Sequence, residues 1–369
     1  MSDLLADHTT LRFGGPADRL LTHTASAAWP DLTHAVLREP VAPFILGGGS
    51  NTLADDAGYP GPVIRMATRG TTVRPLGDGT VEVTAQAGEP LSTLVAFTVS
   101  EGRSGIEYLA GIPGTTGAAP VQNTGAYGQQ ISDTLTRLTV YDWTRQQLAT
   151  FHPETCGFGY RTSIFKTHPG RWTILEVALR LIRSTYAAPL TYRYLAQALD
   201  IPLGTRPPLA EAAQGVLTDR RRRGLALPEN GSDARQAGSV FLNPSITTAQ
   251  AAVVRAAGGM VYHDNHSILR TSAGWLLQLL GYHPGHQLAP GISCSTRRTL
   301  TLTAHDDATA ASFNTVMRKL TRDVFETTGI RLHPEPVRPV AKGTSDEVRV
   351  SRNQATACRK GPDGPHFPH

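Results

Sequence analysis

Residues 110–128 read AGIPGTTGAAPVQNTGAYG, a run of five glycines and two prolines with no charged side chain. A segment so poor in large apolar residues cannot bury itself as a core strand, yet it is too uncharged to serve as a solvated linker. Glycine lets the backbone approach a bound group closely and take positive φ, while Pro113 and Pro120 stiffen the path. Successive free N–H groups along such a chain form a nest that faces an anion. The competing reading, a glycine-rich surface loop, loses ground because a second cluster lies upstream.

That cluster is FILGGGSNTL, residues 44–53. Phe44, Ile45 and Leu46 read as a strand running into a turn at Gly47, Gly48, Gly49, Ser50 and Asn51. No Gly-x-Gly-x-x-Gly spacing is present. Asp55, Asp56, Gly58 and Pro60 interrupt any helix after the turn, so a helix-borne dinucleotide site is unlikely here. Both clusters are expected to wrap a pyrophosphate with backbone N–H groups.

The turn GGGSN, the run above, YRTSIFK at 160–166, GSVFLNP at 238–244 and Pro334-Glu335 follow one another along the chain. In that order they resemble the UDP-N-acetylenolpyruvoylglucosamine reductase family, also called UDP-N-acetylmuramate dehydrogenases. The similarity runs from about Leu11 to Val340. It implies an α+β protein with a two-lobed FAD-binding domain of the vanillyl-alcohol oxidase type and a smaller α+β substrate-binding domain. The expected divisions are residues 10–183 for the FAD-binding domain, 184–223 for a connector with a substrate loop, 224–341 for the carboxyl-terminal domain and 342–369 for a disordered tail.

Composition agrees with such an organisation. The 369 residues exceed one typical domain, and 40% hydrophobic content can bury real cores. Glycine and proline together number 62, which favours turns and strands over a helical bundle. A formal charge of +5 is mild, and its densest cluster is Arg220 to Arg223. No aromatic residues interleave with that run, which speaks against a nucleic-acid patch. The solvated end of a helix near Leu209 to Arg223, or an arginine reaching an anionic ligand, both stay open. Cys156, Cys294 and Cys358 lack disulfide or zinc spacing. No apolar run is long enough for a membrane span or signal peptide, so a cytoplasmic monomer is expected.

Along the chain, Thr24 to Arg38 carries apolar residues at near-helical spacing, followed by the Phe44 strand. Alternating patterns from Pro62 to Ala87 predict short strands, Leu91 to Glu101 a helix, and Leu135 to Tyr141 and Trp172 to Ile182 further strands. The segment Thr9 to Gly15 looks like the family's amino-terminal segment, expected to pack on the flavin domain. Beyond Arg223, helical patterns at Thr247 to Ala257 and Ala308 to Thr328 flank strands near Ser293 to Thr303. The polar composition after Val340 cannot bury enough surface to order itself.

Reduction of an enol ether bearing a carboxylate needs a hydride donor, a group that stabilises charge on the carboxylate side and a proton donor. Side chains cannot donate hydride, so a redox cofactor is required; the resemblance implies FAD reduced by NADPH. Expected at the cofactor are Gly47, Gly48, Gly49, Ser50 and Asn51, with Ile112, Pro113, Gly114, Thr115, Gly117, Ala118, Gln122, Asn123, Gly125, Ala126 and Tyr127. Arg161 and Glu335 match the family's carboxylate-side residues, and Ser239 matches its proton donor. Without the resemblance each reads better as an ordinary surface cation, solvated acid or capping serine. Tyr192 and Asn243 match positions that contact the nucleotide part of the substrate.

Three features depart from the family pattern. Leu242 stands where the family's Gly-Ser-Phe-Phe-Lys-Asn-Pro has lysine, Arg297 and Arg298 stand in a stretch expected to be neutral, and residues 304–307 read AHDD. Either Arg297 or Arg298 restores the lost charge, or the substrate has changed. A diverged flavoenzyme acting on another small acid, and a flavin-binding module without turnover, are the alternatives.

Overall fold

In a computed structural model that describes residues 3–228, 230–339 and 341, the chain builds three principal sheets. The first is a small parallel sheet in which Tyr59–Met66 lies between Ala17–His23 and Phe44–Leu46. The helix Trp29–Val36 forms part of the crossover between its first two strands, shorter than the pattern suggested because Pro30 sets its first turn. The second sheet runs Gln147–Phe151, Leu135–Asp142, Trp172–Arg183, Thr80–Gln86 and Thr71–Pro75, every neighbour antiparallel. Val83, Ala85, Leu138, Val140, Val177 and Leu179 alternate onto its buried face and meet Leu91, Leu94 and Val95 of the helix Leu91–Ser100.

The third sheet belongs to the carboxyl-terminal part: Gln236–Ser239, Thr301–Ala304, Ile292–Cys294 and Gln287–Ala289, again antiparallel. The helix Ala310–Thr328 packs here, with Phe313, Val316, Met317, Leu320 and Val324 buried at helical spacing. Thr309 caps its start through a box with Ser312, and Gly329 ends it at φ +65°. The helix Ala273–Leu279 and the helix Arg193–Leu199 in the connector escaped the sequence reading. Both span only seven residues, too short for periodicity to register. The α+β class is as expected.

One expectation is corrected. The segment Thr9 to Gly15 does not pack solely on the flavin side: Leu11 and Phe13 are buried with Phe241, Leu276 and Phe313 in the carboxyl-terminal core. Phe13 and Phe313 meet edge to face at 5.6 Å. The Asp56 carboxylate accepts from the N–H groups of Ala310 and Ala311 at 2.8 and 2.9 Å, favourable for an anion at a helix start. The tail expected to be disordered lies outside the described residues.

Candidate active site

The two glycine loops lie against each other. A Cβ on Gly48 would sit 3.0 Å from the Gly114 Cα, and one on Gly47 would meet Thr115 Oγ1 at 2.7 Å. Gly114 itself is at φ +107°, a conformation closed to most residues with a side chain. Cavities open beside this contact. One, of about 170 Å³, includes Gly47, Thr115, Gly117 and Ala118 among its walls, with Tyr59, Lys166 and Trp172. The other, of about 280 Å³, is lined by Ser50, Asn51, Ile112, Pro113, Gln122, Gly125, Ala126 and Tyr127, together with Tyr192, Arg161, Ser239 and Glu335.

The reacting-group candidates thus converge from three distant parts of the chain. Arg161, at φ +53°, brings Nε to 3.5 Å from Glu335 Oε1 and donates through Nη2 to the Gly125 carbonyl at 2.6 Å. Ser239 ends the strand Gln236–Ser239, and one residue later the Val240 carbonyl accepts from the Glu335 N–H at 3.0 Å. Serine and glutamate are therefore held by adjoining backbone. Burial pushes the Glu335 carboxyl above its ordinary pKa, against the opposing pull of Arg161, Lys166 and Arg298. Its side chain keeps only 16% exposure. Lys166 Nζ donates to the Arg161 carbonyl at 3.1 Å, steadying the left-handed turn; burial lowers its pKa.

Three predicted site residues face other partners. Asn243 does not line the cavity: its amide donates to the Tyr262 hydroxyl at 2.7 Å and accepts from the Ala273 N–H at 3.0 Å, so it secures the carboxyl-terminal fold. Asn123, at φ +44°, donates to Gln130 Oε1 and the Gly159 carbonyl and accepts from the Ser132 N–H, which ties the loop to itself. Gly49 lines neither cavity; its close neighbour is the His8 carbonyl. Leu242 is likewise absent from the cavity wall.

The arginine run was undervalued by the solvated-helix reading. Arg220 is buried, donating to the Gly111 and Leu225 carbonyls at 3.1 and 2.7 Å, and it lines the cavity with Arg223. Asp219, also buried, accepts from Arg222, Arg223 and Tyr127. Of the two later arginines only Arg298 faces the cavity; Arg297 turns to the Arg222 carbonyl. Helical spacing signals the inward face of residues 209–222, but nothing in the sequence distinguishes Arg297 from Arg298. Among the described residues the cavity wall carries Arg161, Arg220, Arg223 and Arg298 against the single carboxylate Glu335.

Comparison with known proteins bears on this geometry. Residues 31–148 match the FAD binding domain family, and residues 230–338 match the carboxyl-terminal domain of UDP-N-acetylenolpyruvoylglucosamine reductase. The reductase of that name from Salinispora arenicola is 40% identical, over 90% of this chain and 93% of its own length. The chain belongs to the UDP-N-acetylenolpyruvoylglucosamine reductase family. The Thermobifida fusca reductase is 37% identical, over 90% of this chain and 96% of its own. The crystal structure of UDP-N-acetylenolpyruvylglucosamine reductase (MurB) from Thermus caldophilus superposes with a TM-score of 0.61 at 25% identity, covering 92% of this chain and 98% of that one. Membership makes the chain an FAD-dependent oxidoreductase.

The loops fit that cofactor. Thr115 Oγ1 is buried without a hydrogen-bond partner among the described residues, an orphaned polar atom directly over the Gly47 backbone. A buried hydroxyl left unsatisfied marks a place where a polar group is to bind. Gly47, Gly48 and Gly117 let the loops pack this closely, since a Cβ on them would meet Thr115 Oγ1 at 2.7 Å, the Gly114 Cα at 3.0 Å and the Ala87 Cβ at 2.5 Å.

Proposed function

We propose that the chain reduces UDP-N-acetylglucosamine enolpyruvate to UDP-N-acetylmuramate, with NADPH as the source of electrons, in the synthesis of cell-wall peptidoglycan. The observation that carries this reading is the convergence of Arg161, Glu335 and Ser239 on one cavity whose remaining charge is arginine. Bound FAD supplies the hydride. The chain's own residues supply the rest. Arg161 grips the substrate carboxylate and holds it more strongly as charge develops there. Glu335, its pKa raised by burial, contributes a proton-bearing carboxyl beside that charge, where an anionic one would oppose it. Ser239 donates the proton to carbon.

The cationic wall suits the remainder of such a substrate. A diphosphate needs donors with positive charge, and Arg220 and Arg223 line the same cavity as Tyr192. In this reading residues 10–183 hold the cofactor, 184–223 deliver Tyr192 and the arginines, and 224–341 close the cavity with Ser239 and Glu335. The enzyme is taken to act as a monomer. Cys156 and Cys294 are free and buried, in keeping with a reducing cytoplasm. No helix among the described residues is long and apolar enough to cross a membrane.

The test is NADPH oxidation by the purified yellow protein with and without UDP-N-acetylglucosamine enolpyruvate. Substrate-dependent oxidation with formation of UDP-N-acetylmuramate is expected. A flavoprotein that ignores this compound but oxidises NADPH against another enol acid would replace the assignment with that of a diverged enzyme.

A further inference from the structure

Arg298 is a half-buried cation at the cavity wall whose carboxylate neighbour is Glu335, close enough to raise its pKa but not in an ion pair with it. Its hydrogen-bond contacts through the side chain are Nη1 to Thr301 Oγ1 and Nη2 to Ser239 Oγ, both at 3.4 Å. Burial, with Arg223 and Arg220 nearby, drives its pKa down to about 10, still far enough above neutrality to keep it charged. A guanidinium has donors only. Ser239 Oγ must therefore accept from Arg298, and its own O–H is turned away from that side.

We infer that Arg298 is the positioning residue that makes Ser239 an effective acid, rather than an anchor for the substrate's phosphates. The inference rests on the proposed reduction. In that step the substrate double bond gains a hydride from the reduced cofactor and a proton from Ser239; the O–H bond breaks, its electron pair stays on Oγ, and solvent later restores the proton. A serine hydroxyl is a weak acid in water, and the cost lies in the alkoxide it leaves. A fixed guanidinium beside Oγ stabilises the charge where it develops, without reorganisation at the moment of transfer. The same donor fixes the hydroxyl's orientation, leaving its proton free to point at the cavity.

Arg298→Met separates the two roles. Single-turnover reduction of substrate by the prereduced holoenzyme, at saturating substrate, is expected to slow by about a hundredfold, the usual loss on removing one donor from a developing oxyanion. The solvent deuterium isotope effect on that step is expected to rise, and Arg298→Lys to recover part of the rate; flavin reduction by NADPH is expected to be unchanged. A raised KM with an unchanged saturating rate and isotope effect would instead show a phosphate anchor and overturn the inference. Equal slowing in both variants with no change in isotope effect would also overturn it. Should Arg298→Met lose its flavin, Arg298→Lys and Arg298→Gln carry the same comparison. Failure of the unaltered protein to reduce the substrate at all would remove the functional reading itself, a result distinct from either.

Discussion

The side-chain amide of Asn51 donates to the main-chain oxygen of Glu335 at 3.3 Å and to Gln122 Oε1 at 3.0 Å. The Val337 N–H in turn donates to the Asn51 carbonyl, so the first glycine loop is stitched to the segment that carries the glutamate. Asn51→Ala removes the side-chain part of this seam. A typical hydrogen bond contributes about 1 kcal/mol net, so turnover is expected to fall about fivefold with flavin retained. Steady-state rates at full flavin content check this; an unchanged rate would mean that the main-chain contact alone sets the glutamate.

Gly48→Val is expected to give a folded apoprotein. Its first added carbon already meets the Gly114 backbone, 3.0 Å from the Cα, and backbone cannot move aside as a flexible side chain would. The visible flavin band and circular dichroism, measured together, report loss of cofactor without loss of fold. Normal flavin content would refute the pairing of the loops around the cofactor. Because no histidine or cysteine among the described residues lines either cavity, the flavin of the parent protein is expected to pass a filter after denaturation.

Ser239→Ala is expected to leave flavin reduction by NADPH near the parent rate, since that half of the reaction needs no proton at the substrate carbon. Reoxidation by substrate should fall by about a hundred- to ten-thousand-fold, the usual worth of a positioned general acid. Stopped-flow absorbance separates the halves. Equal slowing of both would make Ser239 structural, and slowing of neither would place the proton source elsewhere.

His23 sets an acid limit on stability. Its ring is buried against Trp29 at 5.0 Å, Nδ1 has no partner among the described residues, and burial lowers its pKa from the ordinary 6.5. The unfolded chain therefore takes up this proton at higher pH than the folded one, so stability falls as pH drops below about 6.5. Asp142, held at about 2 by its hydrogen bonds from Arg171 and backbone despite the cost of burial, acts only below pH 4 and does not overlap. Thermal melts of parent and His23→Leu between pH 7 and 5 check the sign: the variant's midpoint should vary less with pH, and parallel curves would exclude His23.

Much of this architecture is readable in advance because its signals are local. Alternation marks the strands near Val81, and the apolar pattern from Ala308 to Thr328 falls on the last helix, Ala310–Thr328. The glycine loops announce themselves by what they lack. The arginines were harder. Arg220 and Arg223 sit at a helix end where cations are commonplace; helical spacing puts Arg220 on the inward face, but the Gly111 and Leu225 carbonyls that hold it are brought there by the tertiary fold. Asn243 was hard in the opposite direction: it keeps its place in a motif altered at Leu242, yet its amide bonds Tyr262 and Ala273, partners that no spacing encodes.

The burial of Leu11 and Phe13 beside Phe313 has a bearing on synthesis. A ribosome releases the amino-terminal residues first, but the slot that receives them is finished only when the last long helix has emerged. Until then both side chains are exposed, and the carboxyl-terminal sheet lacks one wall of its interior. Cutting the gene between the two halves would thus leave the second with an open apolar groove, so the pieces that look separable on paper must be made as one polypeptide.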